Sequence, residues 1–306
     1  MTSRDADPFV THRNLLFTVA YEMLGSAADA EDVVQETWLR WADVDRTEVR
    51  DARAYLVRIV TRQSLNRLRT LARRREDYVG EWLPEPLLTA PEVADDVELA
   101  ESVSMAMLTV LETLRHAERA VFVLREVFDM PYDEIAEAVG KTPAAVRQIA
   151  LRARNHVAAR RPRQDVGRGE QQAVVDRFLG AVRTGDIQGL LDALAPDVVM
   201  LADGGGVAQA IRKPLTGAEP VARLLANFAL LAPTATISPT WLNGAPAALI
   251  DADGELTAVS LVVEQGRITR ILAVRNPAKL TALDQEWPLT RTEASTTPAE
   301  PGDSAP

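Results

Sequence analysis

MPYDEIAEAVGKTPAAVRQIALRARNHV, residues 130–157, reads as two short helices joined by a glycine-centred turn. Asp133 and Glu134 open the first helix, where carboxylates favour the helix dipole. Ile135, Ala136 and Val139 mark its apolar face. Gly140 supplies the positive φ that ends a helix at little cost. Thr142 suits the cap of the second helix and Pro143 its first position. In that helix Val146, Ile149, Ala150, Ala153 and Val157 recur at helical spacing as one buried stripe. Arg147, Gln148, Arg152 and Arg154 therefore face outward, with Lys141 in the turn before them, and the helix carries no acid. A helix-turn-helix lays such a second helix in the major groove, where guanidinium forks fit guanine edges and phosphates. An ordinary helical hairpin with a solvated basic face is the competing reading of these residues alone.

The rest of the chain is acidic, which makes this segment stand out. The 306 residues carry 34 basic and 44 acidic side chains, a net charge of -10. Two acid-free stretches, 58–75 (RIVTRQSLNRLRTLARRR) and 141–163, hold 14 of the basic residues. Cationic charge is thus gathered on two helices within an anionic body, and local patches govern contact with phosphates. There is no cysteine and there are only three histidines, His12, His116 and His156. These counts argue against disulfides, thiolate metal sites and histidine triads, and no metal, cofactor or catalytic residue is expected. No apolar run approaches a membrane span and the N-terminus lacks a signal pattern, so a cytoplasmic protein without a membrane partner is expected.

Working outward, residues 8–24 form an apolar helix ending near Gly25, and Ser26 caps the next, 27–43. There Ala30, Val34, Thr37, Trp38 and Trp41 fall in one stripe, while Asp29, Asp32 and Glu36 lie on another face. A long helix covers about 51–75, with Arg62, Asn66, Arg69 and Arg73 recurring as a polar stripe. Amides bond to exposed base edges and arginines track a strand, so this stripe suits unpaired DNA; a solvated arginine-rich face is the alternative. The loop EWLPEPL (81–87) follows, and four helices are expected over 96–159. After a basic linker the pattern changes to helices at 170–183 and from Asp186, a helix near 217–232, and strands at 197–202, 234–242, 246–251, 256–264 and 267–275. The last 20 residues or so, rich in Pro, Ser, Thr and Ala, are expected to be disordered.

With these segments in order, the chain resembles an extracytoplasmic-function sigma factor of bacterial RNA polymerase. DAEDVVQETWLRWAD (29–43) is similar to the part that grips the polymerase clamp, which implies core-polymerase binding by Asp29, Asp32, Gln35, Glu36 and Trp38. ARAYLVRIVTRQSLNRLR (52–69) resembles the part that melts and reads the minus-10 element, which implies Arg62, Asn66, Arg69 and Arg73. The helix-turn-helix resembles the reader of the minus-35 element, which implies Lys141, Arg147, Gln148, Arg152 and Arg154. The second half resembles a SnoaL-like domain, as in a SigJ-like subgroup. The carriers are WLPEPL (82–87) with Trp82, DGGG with Asp203, Gly204, Gly205 and Gly206, and NPAKL with Asn276, Pro277, Lys279 and Leu280. The subgroup pattern continues with lysine where Val207 stands and has aspartate where Ala278 stands.

The expected architecture is multidomain: two all-α sigma domains, the second with the helix-turn-helix, followed by an α+β SnoaL-like cone-shaped barrel. The expected boundaries are 1–76 for region 2, 77–95 for a linker, 96–160 for region 4, 161–169 for a second linker, 170–285 for the SnoaL-like domain and 286–306 for a tail. The expected partners are core RNA polymerase and promoter DNA, with an unidentified small ligand as a candidate for the SnoaL-like pocket. In that pocket Asp203 reads either as a ligand-facing carboxylate or as a solvated turn residue, and Asp197, Asp251 and Glu264 are not singled out. A cis-regulatory role for the fused domain, packed on both sigma domains and the linker around Trp82, is the expected use. A one-component DNA-binding regulator with a small-molecule-sensing domain and a SnoaL-type enzyme are the alternatives.

Overall fold

The structure, a computed structural model, describes residues 7–76, 78–161 and 167–291, with backbone only for 73–76. Three helices build the first unit: α1 (Pro8–Leu24), α2 (Ala27–Ala42) and α3 (Ala52–Glu76). Asp7 caps α1 by accepting from Phe9 N, and Gly25 (φ 68°) closes it. Ser26 then caps α2 through Asp29 N. The buried face of α2 is Ala30, Val33, Val34, Thr37 and Trp41. Trp38, expected in that stripe, is instead 38% exposed and lies 5.0 Å from the Phe9 ring. Val33 takes the inward position, because i, i+3, i+4, i+7 and i+11 from Ala30 run through it.

The second unit has five helices where four were expected: α4 (Val97–Val103), α5 (Met105–Leu111), α6 (His116–Phe122), α7 (Tyr132–Val139) and α8 (Pro143–Ala158). The break lies at Ser104, whose ψ of 145° leaves the helical region and whose hydroxyl caps α5 through Met107 N at 3.1 Å. One π-helical turn, Val123–Val127, extends α6. As the spacing predicts, Gly140 closes α7 at φ 67°, Thr142 caps α8, and Val146, Ile149, Ala150, Ala153 and Val157 are buried.

The third unit opens with α9 (Arg168–Thr184) and α10 (Ile187–Ala193), then β1 (Leu194–Asp203), β2 (Leu215–Thr216), α11 (Ala218–Leu231), β3 (Thr236–Leu242), β4 (Ala245–Ala252), β5 (Glu255–Glu264) and β6 (Arg267–Val274). The sheet order is β2-β1-β6-β5-β4-β3, with only β1 and β6 parallel. Both of its faces are apolar, and alternation along each strand divides them. Ala248, Val259, Leu261, Ile271 and Ala273 meet Val174, Phe178, Leu179, Leu190 and Val221 of the domain's own helices. Leu242, Ala247, Ala258, Leu272 and Val274 point the other way and join the core of the two sigma units. Among the described residues, cavities on this domain include one of about 40 Å³ against the second unit, lined by Met107, Leu242, Ser260 and Leu272, one of about 360 Å³ beside Val207, Leu256 and Arg275, and one of about 180 Å³ beside Gly80, Gly206 and Arg212.

Residues 286–291, expected within the tail, are ordered against the first unit. Trp287 stacks on Phe17 with ring centroids 4.5 Å apart, Leu289 is buried and Thr290 N donates to Thr18 Oγ1. The remainder of the expected tail, 292–306, and most of the expected second linker, 162–166, lie outside the described residues. Because the outer sheet face shares its core with the sigma helices, Leu272→Ala should cost about 2–5 kcal/mol. Helix and strand signals should be lost together in thermal melts followed by circular dichroism. A sheet that melts apart from the helices would contradict the shared core.

Candidate nucleic-acid and interdomain interfaces

The linker motif around Trp82 and the two motifs of the fused domain converge at one buried point. Asp203 ends β1 and is 0% exposed. Its Oδ1 accepts from Tyr78 OH at 2.5 Å and Gly205 N at 3.1 Å. Its Oδ2 accepts from Leu83 N at 2.9 Å and Lys279 Nζ at 2.7 Å. Four donors match the acceptor capacity of a carboxylate, so none is left for a substrate. Lys279 also donates to Leu83 O at 2.6 Å and stands 3.2 Å from the centroid of the Trp82 ring. Tyr78 meets Trp82 edge-on at 4.6 Å and accepts from Asn276 Nδ2 at 2.8 Å. Burial, reinforced by the hydrogen bond to Asp203, pushes the Tyr78 phenol above its ordinary range. Gly205 is required here, since a Cβ would lie 2.3 Å from Asn276 Nδ2. Asp203 is thus neither a solvated turn residue nor a pocket carboxylate: it anchors the segment that follows α3. Val207 and Ala278 are both exposed, so the two departures from the subgroup pattern leave this knot intact.

A second anchor holds the same segment four residues on, at Leu87, and nothing in the sequence reading marked it. Asn243 and Gly244 form the β3–β4 turn, with φ of 54° and 72°. Asn243 is 1% exposed. Its Nδ2 donates to Tyr21 OH of α1 at 2.7 Å and to Val103 O of α4 at 2.9 Å, while its Oδ1 accepts from Leu87 N at 2.9 Å. One side chain therefore ties together both sigma units and the strap between them. Gly244 passes so close to α4 that a Cβ would lie 3.0 Å from Ala100. The strap also covers the end of edge strand β3, through a bridge from Leu88 to Leu242 and through Thr89 N to Trp241 O. The available signal was the Asn-Gly pair between two alternating runs, which marks a hairpin but not where it inserts.

The expected polymerase- and DNA-facing residues fall into two groups. Gln35 and Arg147 are exposed, as are Lys141 and Gln148, while the partly exposed Trp38 is flanked by Leu39 at 64%. Other members are engaged within the chain. Arg67 pairs with both Asp29 and Asp32, at 2.6 and 2.7 Å, and Gln63 donates to Glu36. Arg154 makes a two-pronged pair with Glu126, and Arg152 stands 3.8 Å from Glu118. Arg69 donates to Asn66 Oδ1. Arg62 donates to the backbone carbonyl of Glu137 in α7 at 2.8 Å, and Arg58 pairs with the Glu137 side chain at 3.1 Å. The side chain of Arg73 lies outside those described. Leu151, 54% exposed among the arginines of α8, is an addition to the outward face. Among the described residues no cluster of three His, Cys, Asp or Glu could hold a metal ion, and no helix is long and apolar enough to cross a membrane.

The Asp203–Lys279 pair has a measurable signature. Asp203→Asn or Lys279→Met alone leaves a buried charge without its counterion, so each should cost about 3–5 kcal/mol in chemical denaturation. The double variant should recover part of that loss, giving a coupling energy in a double-mutant cycle; strictly additive losses would mean that the pair is not coupled.

Comparison with known proteins agrees with this arrangement. Residues 9–74 match the Sigma-70 region 2 family and residues 104–157 the Sigma-70 region 4 family. The chain is 35% identical over 298 residues to the ECF RNA polymerase sigma factor SigJ of Mycobacterium tuberculosis, covering 90% of this chain and 93% of that one. It is 32% identical over 281 residues to the probable ECF RNA polymerase sigma factor SigI of the same organism, covering 90% and 94%. The crystal structure of M. tuberculosis SigJ superposes with a TM-score of 0.73 at 33% identity, covering 89% of this chain and 96% of that chain. With region 2, region 4 and a sheet-bearing third unit in this order, the chain belongs to the extracytoplasmic-function sigma factors of RNA polymerase and is similar to SigJ along nearly its whole length.

Proposed function

We propose that the fused domain regulates this sigma factor in cis by holding its two DNA-reading units together until core polymerase separates them. The observation that carries the reading is the contact of Arg62 with Glu137 of the helix-turn-helix, 2.8 Å from donor to acceptor. The minus-10 and minus-35 elements are centred about 25 base pairs apart, roughly 85 Å along B-form DNA. Two helices in direct contact cannot reach both. The closed chain therefore has to open before it reads a promoter.

The division of labour follows from exposure and charge. Gln35 and Trp38, with Asp29, Asp32 and Glu36 around them, present α2 to the polymerase clamp, and this face stays accessible in the closed form. Arg62, Asn66, Arg69 and Arg73 capture unpaired minus-10 bases once α7 has left α3. Lys141, Arg147, Gln148 and Arg152 read the minus-35 duplex, whereas Arg154 is held back by Glu126 and serves α8 packing. The fused domain adds no chemistry to these steps. It acts through Asp203, Lys279 and Asn243, which grip the strap and both sigma units.

Transcription from a genomic promoter pool, with purified full-length chain and core polymerase, tests the reading. Asn66→Ala with Arg69→Ala, which leaves the Arg62–Glu137 contact in place, should reduce open-complex formation while leaving polymerase association intact. Asn243→Ala removes hydrogen bonds worth about 1–3 kcal/mol to a buried joint, which is about 5- to 150-fold in the closing equilibrium. Polymerase affinity should rise by a factor in that range. An affinity equal to that of the parent chain would overturn the closed-lock reading.

A further inference from the structure

A carboxyl group that neither DNA nor polymerase contact uses lies at the joint between the two sigma units. Glu22 stands on the last turn of α1 and is 0% exposed. Its Oε1 lies 2.9 Å from Ser102 Oγ of α4, and the same hydroxyl lies 2.9 Å from the carbonyl oxygen of Leu99. A serine hydroxyl has one proton and cannot donate to both. If Glu22 is neutral, its O–H donates to Ser102 and Ser102 donates to Leu99, so every close oxygen pair contains a proton. If Glu22 is ionised, one of those pairs brings lone pairs face to face at 2.9 Å. Glu22 Oε2 is buried and has no hydrogen-bond partner, which an ionised oxygen would tolerate poorly.

The charges around Glu22 do not compensate for its burial. Arg119 from α6 gives its Nε to the backbone carbonyl of Glu22 at 2.8 Å, and its Nη1 to Glu112 at 2.7 Å. Glu112 is thus the acid that neutralises Arg119. From α1 itself, Tyr21 donates to the backbone carbonyl of Glu85, whose carboxyl receives Ala27 N at the start of α2. Burial also raises the Tyr21 phenol and the Glu85 carboxyl above their ordinary ranges. For Glu22, burial dominates the opposing pull of Ser102 and Arg119 and pushes the carboxyl up to about 8.

We infer that closure of the two sigma units takes up one proton at Glu22, so that acid favours the closed chain and a rise in pH favours opening. The inference rests on the closed–open reading above. When α6 and α4 leave α1, Glu22 meets water and returns to the ordinary carboxyl range. The closed state then binds the proton more tightly than the open one. Its advantage is complete below the ordinary value of 4.5 and is lost as the pH rises through about 8. Between those limits the open-to-closed ratio should rise by up to about tenfold per pH unit.

The chain has no cysteine, so two can be introduced without competition. Val10→Cys on α1, at a site 63% exposed, and Ala158→Cys at the exposed end of α8 place a dye on each sigma unit. Energy transfer is read from pH 6 to 8 in the full-length chain, in Glu22→Gln, which keeps the shape and a donor, and in Glu22→Met, which carries no titratable group. The parent should open as the pH rises, and both variants should give flat profiles. The same slope in all three would overturn the inference. A flat parent profile that still loses energy transfer on adding core polymerase would remove the proton link and leave the closed–open reading standing. Unchanged transfer under both treatments would remove that reading as well.

Discussion

A carboxylate deprived of water has to find its partners inside the protein, and Asp203 finds one in each element of the joint. Tyr78 and Leu83 come from the strap, Lys279 from the segment after β6, and Gly205 from its own loop. Ionic hydrogen bonds of this kind are strong only when the set is complete. The strap is therefore held in one register, with Trp82 covering the ammonium of Lys279. Leu87 and Thr89 follow at fixed distance and meet the Asn243–Gly244 turn. From there the position of both sigma units is determined, because Asn243 bonds to Tyr21 in one and to Val103 in the other. Buried polar groups define geometry at this joint, while Leu242, Leu272 and Val274 supply the apolar area.

Electrostatics act in the same direction. The chain is acidic overall, yet its two basic helices are partly neutralised from within. Arg67 is shared by Asp29 and Asp32, Arg58 is met by Glu137 and Arg154 by Glu126. Most of these pairs are at least partly exposed, so each contributes little to stability. Their effect is on availability: an arginine engaged with a carboxylate must exchange that partner for a phosphate. The basic charge of the two helices is thus present but partly committed, and Arg58 and Arg62 both meet Glu137 of α7.

How much of this was legible in the sequence depends on the range of each interaction. The caps and breaks at Gly25, Ser26, Gly140, Thr142 and Pro143 were legible because their causes are local and act within one turn, whereas the break at Ser104 was not. The stripe of α8 was legible for the same reason. In α2 both Val33 and Trp38 lie at helical spacing from Ala30, so periodicity alone does not choose between them, and the structure places Val33 inward. The motifs around Trp82, Asp203 and Lys279 could be found by resemblance, but their convergence could not, because the strap and β1 are separated by more than a hundred residues. Asn243 was missed for a related reason. An Asn-Gly turn is predicted by its own backbone preference, and nothing local says that its amide will be buried between two helices. Glu22 gave still less warning, since one acid in an apolar helix looks like a solvated residue until its neighbours are known.

The placement of the polymerase-facing surface then has a quantitative consequence. If α2 remains accessible in the closed chain, an encounter with polymerase does not require opening, whereas productive binding does. The apparent affinity is the intrinsic one scaled by the fraction of chains that are open. A tenfold shift in the closing equilibrium is thus a tenfold shift in polymerase capture, without any change on the surface that polymerase touches. That separates this design from one in which a partner covers the clamp-binding face. On the proposed reading, control resides in the joint of Asp203, Lys279, Asn243 and Glu22. Polar groups suit that position because water can replace their hydrogen bonds on opening, so the equilibrium stays near balance, where a wholly apolar joint of the same size would favour the closed chain far more strongly.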